Sequence, residues 1–324
     1  MKAVLCRAFG PPESLEIVEV DDPKPGPQEI VIRVRAAAIT FPDALMIEDK
    51  YQFKPEPPFV PGGDVAGVVE AVGEGVEGFS VGDRVTGGLG LVGGFAERVK
   101  LRVDAARRLE DSIGFAESTG LLYAYGTGYY GLKHRGDLRP GQTLLILGAS
   151  GALGIAAIEL GKLLGSRVIA AAGSDEKLAV CLQRGADEVI DYNKEDLKER
   201  AKALTDGQGV DVVYDCVGGD YAEAALRAIA WKGRFLVIGF TAGIPKIPLN
   251  LALLKGCQIV GVFLGAMTGK EPELRREIER ELLAELAAGR LTPYVSRRYP
   301  LAAAPQALRD MLDRKAVGKI VIEP

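Results

Sequence analysis

The residues with the most chemical content lie mid-chain, in Leu147-Gly148-Ala149-Ser150-Gly151-Ala152-Leu153-Gly154. This run follows an apolar strand-like stretch, Leu144 to Leu147, and opens a helical one, Ala152 to Leu164. Glycine at 148 and 151 permits a tight turn and lets backbone approach a pyrophosphate, while Gly154 lets the helix pack closely on the strand. The free N–H groups and positive dipole end of that helix would then face phosphates. The pattern predicts a dinucleotide site built from Gly148, Ser150, Gly151, Ala152, Leu153 and Gly154.

The next strand narrows the choice of dinucleotide. An NAD site usually carries an acid near the end of that strand, holding the ribose 2′-hydroxyl. Here the strand ends Ala170-Ala171-Ala172-Gly173-Ser174, with Lys177 three residues on and Tyr192 ending the following strand. A small residue, a hydroxyl and a cation suit a 2′-phosphate, which needs donors and positive charge. Asp175 and Glu176 work against this, although acids in a first helical turn have an ordinary capping role. The expected cofactor is NADPH. The bland alternatives are a surface lysine at 177 and a packing aromatic at 192.

Metal chemistry finds little support in the residue types. The chain has one histidine, His134, and four scattered cysteines (Cys6, Cys181, Cys216, Cys257), none in a CxxC pair. A catalytic zinc wants three converging ligands, and a structural four-thiolate site would consume every cysteine. The cysteines read instead as buried small hydrophobes. His134, just before a turn, reads as an exposed helix-end residue favoured by the dipole. Without a Lewis acid, hydride chemistry favours acceptors that are already electrophilic, such as quinones and enones.

The elements that would position these residues fall into two kinds. From Thr143 onward strands and helices alternate, with strands at 144–147, 167–172, 188–191, 210–216 and 234–239, and a further one at 258–264. That rhythm predicts βαβ units, a parallel sheet and helices on both faces. The first hundred residues are β-rich and dense in glycine from Gly62 to Gly94, as a small barrel requires. The tail holds an amphipathic helix (272–288), a short helix (305–314) and a last strand (318–322). The Rossmann unit is therefore expected as an insertion: 1–124 and 265–324 forming one domain, 125–264 the nucleotide domain.

Composition removes other classes. A chain of 324 residues exceeds a single core of ~250 residues. Net charge is −4 with no basic block, against a nucleic-acid tracker. No apolar stretch approaches the ~20 residues of a membrane span, and neither a basic n-region nor an apolar h-region follows Met1. The expected compartment is the cytoplasm.

These segments resemble the medium-chain dehydrogenase/reductase superfamily, specifically its zinc-free quinone oxidoreductase branch that includes zeta-crystallin. The resemblance rests on Pro58-Phe59-Val60-Pro61-Gly62-Gly63-Asp64-Val65-Ala66-Gly67-Val68-Val69, on Gly82-Asp83-Arg84-Val85 and on the loop 148–154. Asp211 to Gly219, Gly233-Arg234-Phe235 and Gly318-Lys319-Ile320-Val321 add to it. Zinc-dependent members carry Gly-His-Glu where this chain has Gly62-Gly63-Asp64. The resemblance implies a GroES-like β-barrel catalytic domain plus a Rossmann domain, and a homodimer through the Rossmann edge strand near Gln258 to Leu264. It implies a 2′-phosphate pocket of Gly173, Ser174, Lys177 and Tyr192, and a nicotinamide loop of Gly239, Phe240 and Thr241 followed by Phe263 and Leu264. Thr127 matches a hydroxyl near the nicotinamide, and Tyr51 an aromatic at the substrate cleft. Thr40, in Thr40-Phe41-Pro42-Asp43, stands where the family usually has asparagine, keeping a hydroxyl but losing two donors. Thr40, Tyr51 and Thr127 are thus the expected catalytic residues. The implied activity is NADPH-dependent reduction of a quinone or α,β-unsaturated carbonyl. The alternatives are a 2-enoyl-thioester reductase and a non-catalytic NADPH-binding protein.

Overall fold

The computed structural model describes residues 1–324 and divides into two compact units. One is Met1–Leu122 with Thr292–Pro324, the other Tyr123–Leu291.

The first unit begins with seven strands: β1 (Lys2–Leu5), β2 (Glu16–Glu19), β3 (Glu29–Ile39), β4 (Asp64–Val72), β5 (Arg84–Gly88), β6 (Arg98–Arg102) and β7 (Ala106–Arg108). The second unit supplies β8 (Thr143–Leu147), β9 (Arg167–Ala172), β10 (Glu188–Asp191), β11 (Val210–Asp215), β12 (Ile229–Val237) and β13 (Gln258–Gly261). The chain then returns to the first unit with β14 (Val295–Pro300) and β15 (Lys319–Glu323).

In the first unit one sheet runs β14-β15-β3-β4-β5-β7, with β6 also paired to β3. Strand β3 is the organiser. Its eleven residues pair antiparallel with β4 along most of their length, with β6 at one end and β15 at the other. Two register shifts against β4, at Val31/Ile32 and Val34/Ala36, are the irregularities by which a sheet bends towards closure. Ile30, Ile32, Phe95 and Leu101 anchor its core.

The second unit holds a parallel six-stranded sheet in the order β10-β9-β8-β11-β12-β13. The chain starts at β8, builds outward through β9 and β10, then crosses to β11 and builds the other way. The switch point is between β8 and β11. Leu144 to Leu147 are fully buried, as befits a strand covered on both faces. Leu145, Ile169, Val213 and Phe235 form the core on one face.

Several expected bounds move, each for a local reason. The helix after β10 starts at Leu197, because the Asp196 side chain accepts from Glu199 N–H and caps it there. The strand expected at 258–264 stops at Gly261, and Leu264 opens a helix, Leu264–Lys270. The return to the first unit, expected at residue 265, comes at Thr292. The helix Pro272–Ala287 instead packs within the second unit, burying Ile278 and Leu282 and binding Tyr129 and Lys133 through Glu281. No helix is long and apolar enough to cross a membrane.

Two glycines test the packing directly. A Cβ on Gly154 would lie 2.5 Å from both Ala149 Cα and Gly148 O, whereas one on Gly269 meets nothing within 4 Å. Gly154→Val is expected to cost about 1–3 kcal/mol by overpacking. Gly269→Ala should be neutral or stabilising by up to about 1 kcal/mol. Urea unfolding midpoints of the two variants check the contrast.

Candidate functional site

The parallel register gathers most of the expected cofactor residues along one edge. Asp191 pairs with Ala172, Ala171 with Leu147, Leu147 with Asp215, Asp215 with Val237, and Val237 with Gly261. The six strands therefore end in one row, and the loops that leave it carry Gly148 to Gly154, Gly173 and Ser174, Tyr192, Gly239 to Thr241, and Phe263 with Leu264. Ligands of open α/β sheets bind outside this carboxyl edge, at the switch point.

The first loop has the geometry an anion needs. Gly148 takes φ +66°, and Gly151 N–H bonds Gly148 O at 3.0 Å. The helix Ala152–Leu163 begins at Gly151 with no side chain capping its N-terminus, so its first-turn N–H groups are offered outward. Across the switch point, the buried Asp215 carboxylate accepts from Val217 and Gly218 N–H at 2.8 and 2.9 Å, fixing the loop after β11. Val217 then leaves no room at Gly148, where a Cβ would meet its Cγ2 at 2.8 Å.

The loop after β12 is tied to the same place. Ala242 N–H bonds Val217 O, Gly219 N–H bonds Gly243 O, and Thr241 Oγ1 donates to Cys216 O at 3.3 Å. Phe240 is left 44% exposed beside Gly218. Phe263, also exposed, occupies the N-terminal cap of the helix Leu264–Lys270.

At the end of β9, Ser174 Oγ accepts from Lys177 N–H and caps the helix Asp175–Gln183. Asn193 Nδ2 donates to Gly173 O at 2.8 Å, and a Cβ on Gly173 would crowd both Asn193 and Tyr192. The Tyr192 ring packs on Tyr221 at 4.5 Å between centroids, so it serves packing while flanking Gly173. The acids that opposed a 2′-phosphate are partly answered here. Lys194 Nζ binds both Asp175 oxygens at 2.8 Å, which neutralises Asp175. Asn193 and Lys194 escaped the sequence reading; their signal was a polar pair directly after Tyr192, at a strand end.

Thr127 lies in the second unit and is 7% exposed. Its hydroxyl donates to Tyr123 O at 2.5 Å, the helical back-bonding arrangement, leaving only its lone pairs for a ligand. His134 is not the exposed residue expected. Its ring stacks on Tyr130 at 6.4 Å, its buried Nε2 has no hydrogen-bond partner, and burial holds its pKa below the ordinary value.

Thr40 and Tyr51 belong to the first unit. The segment after Thr40 folds into the helix Phe41–Ile47 because Thr40 and Asp43 have capping-box spacing. Asp43 is 1% exposed. Its Oδ2 accepts from Thr40 N–H and from Thr40 Oγ1, both at 2.7 Å, while its Oδ1 has no partner. Burial pushes the Asp43 carboxyl up to about 7 against the Thr40 hydrogen bonds, Asp64 adds to the rise, and the Gly62 amide opposes it. Asp64 is itself pushed up to about 6 by burial, opposed by Lys319. Burial, then the charge of Asp43, raises the half-buried Tyr51 phenol. Asp43 is a third residue that the sequence did not single out.

Comparison with known proteins fits this arrangement. Residues 26–111 match the family described as Alcohol dehydrogenase GroES-like domain, and residues 152–283 that described as Zinc-binding dehydrogenase. A quinone oxidoreductase-like protein 2 homolog of Nematostella vectensis is 40% identical over 99% of this chain and 88% of its own length. The chain belongs to the medium-chain dehydrogenase/reductase superfamily. Within that superfamily, the Pseudomonas aeruginosa quinone oxidoreductase is 33% identical over 100% of this chain and 99% of its own. The crystal structure of Escherichia coli quinone oxidoreductase complexed with NADPH superposes with a TM-score of 0.92, at 29% identity and full coverage of both chains. In this superfamily member, position 63 offers no ligand: a Cβ on Gly63 would sit 2.8 Å from Gly90 O. No three His, Cys, Asp or Glu side chains are grouped so that they could hold a metal ion.

The raised Asp43 makes stability pH-dependent. Folded Asp43 keeps its proton up to about 7, whereas unfolded aspartate loses it near ~3.9. Between those values the folded state binds more protons, so this group's contribution falls as pH rises. Asp43→Asn should therefore gain on the parent protein across that window, by up to about 1.4 kcal/mol per pH unit. Urea midpoints of both proteins at several pH values measure it. A difference that does not change with pH would mean an ordinary carboxylate at 43.

Proposed function

We propose that this chain is an NADPH-dependent reductase that transfers two electrons to a quinone or an α,β-unsaturated carbonyl. The observation that carries this reading is the row of strand ends with an uncapped helix N-terminus at its switch point, and Gly173 and Ser174 rather than an acid directly at the end of β9. Pyrophosphate would lie against the amides of Ser150 to Gly154, with Val217 and the 240–242 loop enclosing the next stretch of cofactor. The 2′-phosphate would meet Ser174, Lys177 and Asn193, beside the Tyr192 ring. Bound NADPH supplies a hydride from its nicotinamide C4, and the protein supplies position and exclusion of water. Thr40 is the protein hydroxyl assigned to the acceptor's oxygen, and Tyr51 lines the acceptor's surroundings.

A homodimer through β13 belongs to the same proposal. The outer edge of β13 has no partner strand, and Ile259 on it is exposed. Trp231 (68% exposed), Leu253 and Leu254 extend the apolar surface of this unit. Unpaired edges with apolar surroundings invite a symmetric second copy.

Three measurements bear on this. Purified protein mixed with NADPH and a panel of quinones and enones should oxidise the cofactor; no oxidation with any acceptor would refute the reductase. Lys177→Ala should raise the KM for NADPH about 10-fold or more, as loss of a charge-assisted hydrogen bond implies, and leave that for NADH unchanged. Equal effects on both cofactors would remove Lys177 from the 2′-phosphate. Sedimentation should give twice the chain mass, and Ile259→Lys should return it to a single chain.

A further inference from the structure

Asp43 has a feature that helix capping does not explain. A cap needs one acceptor oxygen, and Oδ2 meets that need by taking both the N–H and the hydroxyl of Thr40. The other oxygen, Oδ1, is buried and makes no hydrogen bond of good geometry, the Gly62 amide being the one further donor that acts on this carboxyl. A carboxylate in that setting leaves half of its charge unsolvated, which is costly. The neutral acid avoids the cost, because a proton on Oδ2 can be donated to Thr40 Oγ1 across the same 2.7 Å contact. Thr40 would then be released from donating inward and would turn its own O–H outward. Burial and the neighbouring charge favour this state against the donors of Thr40 and Gly62. Asp64 on β4 presents like charge, the Tyr51 phenol is held protonated, and the Lys319 ammonium on β15 acts on Asp64. Lys319 Nζ itself is bonded to Glu117 O and Thr119 O.

We infer that Asp43 and Thr40 form a two-step proton relay, in which Thr40 protonates the reduced acceptor and Asp43, acting through Thr40, replaces that proton. The inference rests on the reductase reading above. Once the acceptor has taken a hydride, its electron pair resides on an enolate or hydroquinonate oxygen. The Thr40 O–H bond breaks and its proton goes to that oxygen. The Asp43 Oδ2–H bond breaks and its proton goes to Thr40 Oγ1. Asp43 is left as carboxylate and takes a proton from water before the next turnover. The sum is acceptor, NADPH and one proton giving reduced acceptor and NADP⁺. Neither residue changes oxidation state.

The relay is tested in two ways, one of them without turnover. In protein labelled with carbon-13 at aspartate carboxyls and free of cofactor, one carboxyl should titrate near neutrality, disappear in Asp43→Asn and move to higher pH in Thr40→Val. An Asp43 signal that titrates in the ordinary aspartate range overturns the relay whatever the activity. With NADPH and 1-octen-3-one, Thr40→Val should lower kcat about 100-fold with the KM for NADPH unchanged, and Thr40→Ser should restore it. The parent kcat should fall as pH rises through neutrality, and Asp43→Asn should abolish that ionisation. A parent enzyme that is active while Thr40→Val and Asp43→Asn keep its kcat and pH profile overturns the relay alone. A parent protein that reduces no acceptor overturns the reductase reading and the relay together.

Discussion

One close approach governs the second unit: a helix N-terminus set against the end of β8 with no side chain between them. Gly154 has no space for a Cβ, because Ala149 and the Gly148 carbonyl stand where it would be. Gly148 has none either, because Val217 closes from the neighbouring strand's loop. Removing side chains at these two points brings backbone amides to the switch point of the sheet, where both halves of the strand order diverge. The helix there has no capping side chain of its own, so its first-turn donors lack a protein acceptor. Asp215 extends the arrangement sideways by fixing Val217 and Gly218, and these in turn hold the loop that follows β12.

The two units treat charge in opposite ways. In the second, the N-terminus of the helix Ala152–Leu163 carries no capping side chain, and Lys194 lies beside an acid at the surface. Lys194 satisfies Asp175 and so neutralises one acid next to Ser174. In the first, a carboxyl is withdrawn from water and given fewer partners than it can use. A surface pair such as Lys194 with Asp175 is worth little in stability. Its effect is on the local field. The buried Asp43 carries far more leverage, since its protonation state depends on surroundings that solvent does not screen.

Much of this was legible from residue order. Strand–glycine–helix succession located the loop at 148–154, and apolar runs located β8, β9 and β10 to within a residue. The 3.6 periodicity also identified the helix Pro272–Ala287, but periodicity does not say which core a helix faces. Ile278 and Leu282 would serve either unit, so the boundary was placed 27 residues too early (264 rather than 291). The helix Phe41–Ile47 is shorter than any reliable window, and only the Thr40–Asp43 spacing announced it. His134 looked like an exposed helix end because its burial comes from Tyr129 and Tyr130, ring contacts that no local rule reports. Asp43 was hidden for a related reason: its environment is built by strands far away in the chain.

The first unit is discontinuous, and this has a consequence for biosynthesis. Its organising strand, β3, pairs with β15, which lies 281 residues later (residue 320 against residue 39). The parallel sheet of the second unit is contiguous and is fully synthesised by the time β13 leaves the ribosome. The nucleotide unit can therefore close first, during translation, while β3 waits with an unfilled edge. Completion of the barrel-like sheet must await β15, so a nascent chain passes through a stage with one finished unit and one open β edge. An edge of that kind is a ready template for wrong pairing, and β15 is the strand that closes it.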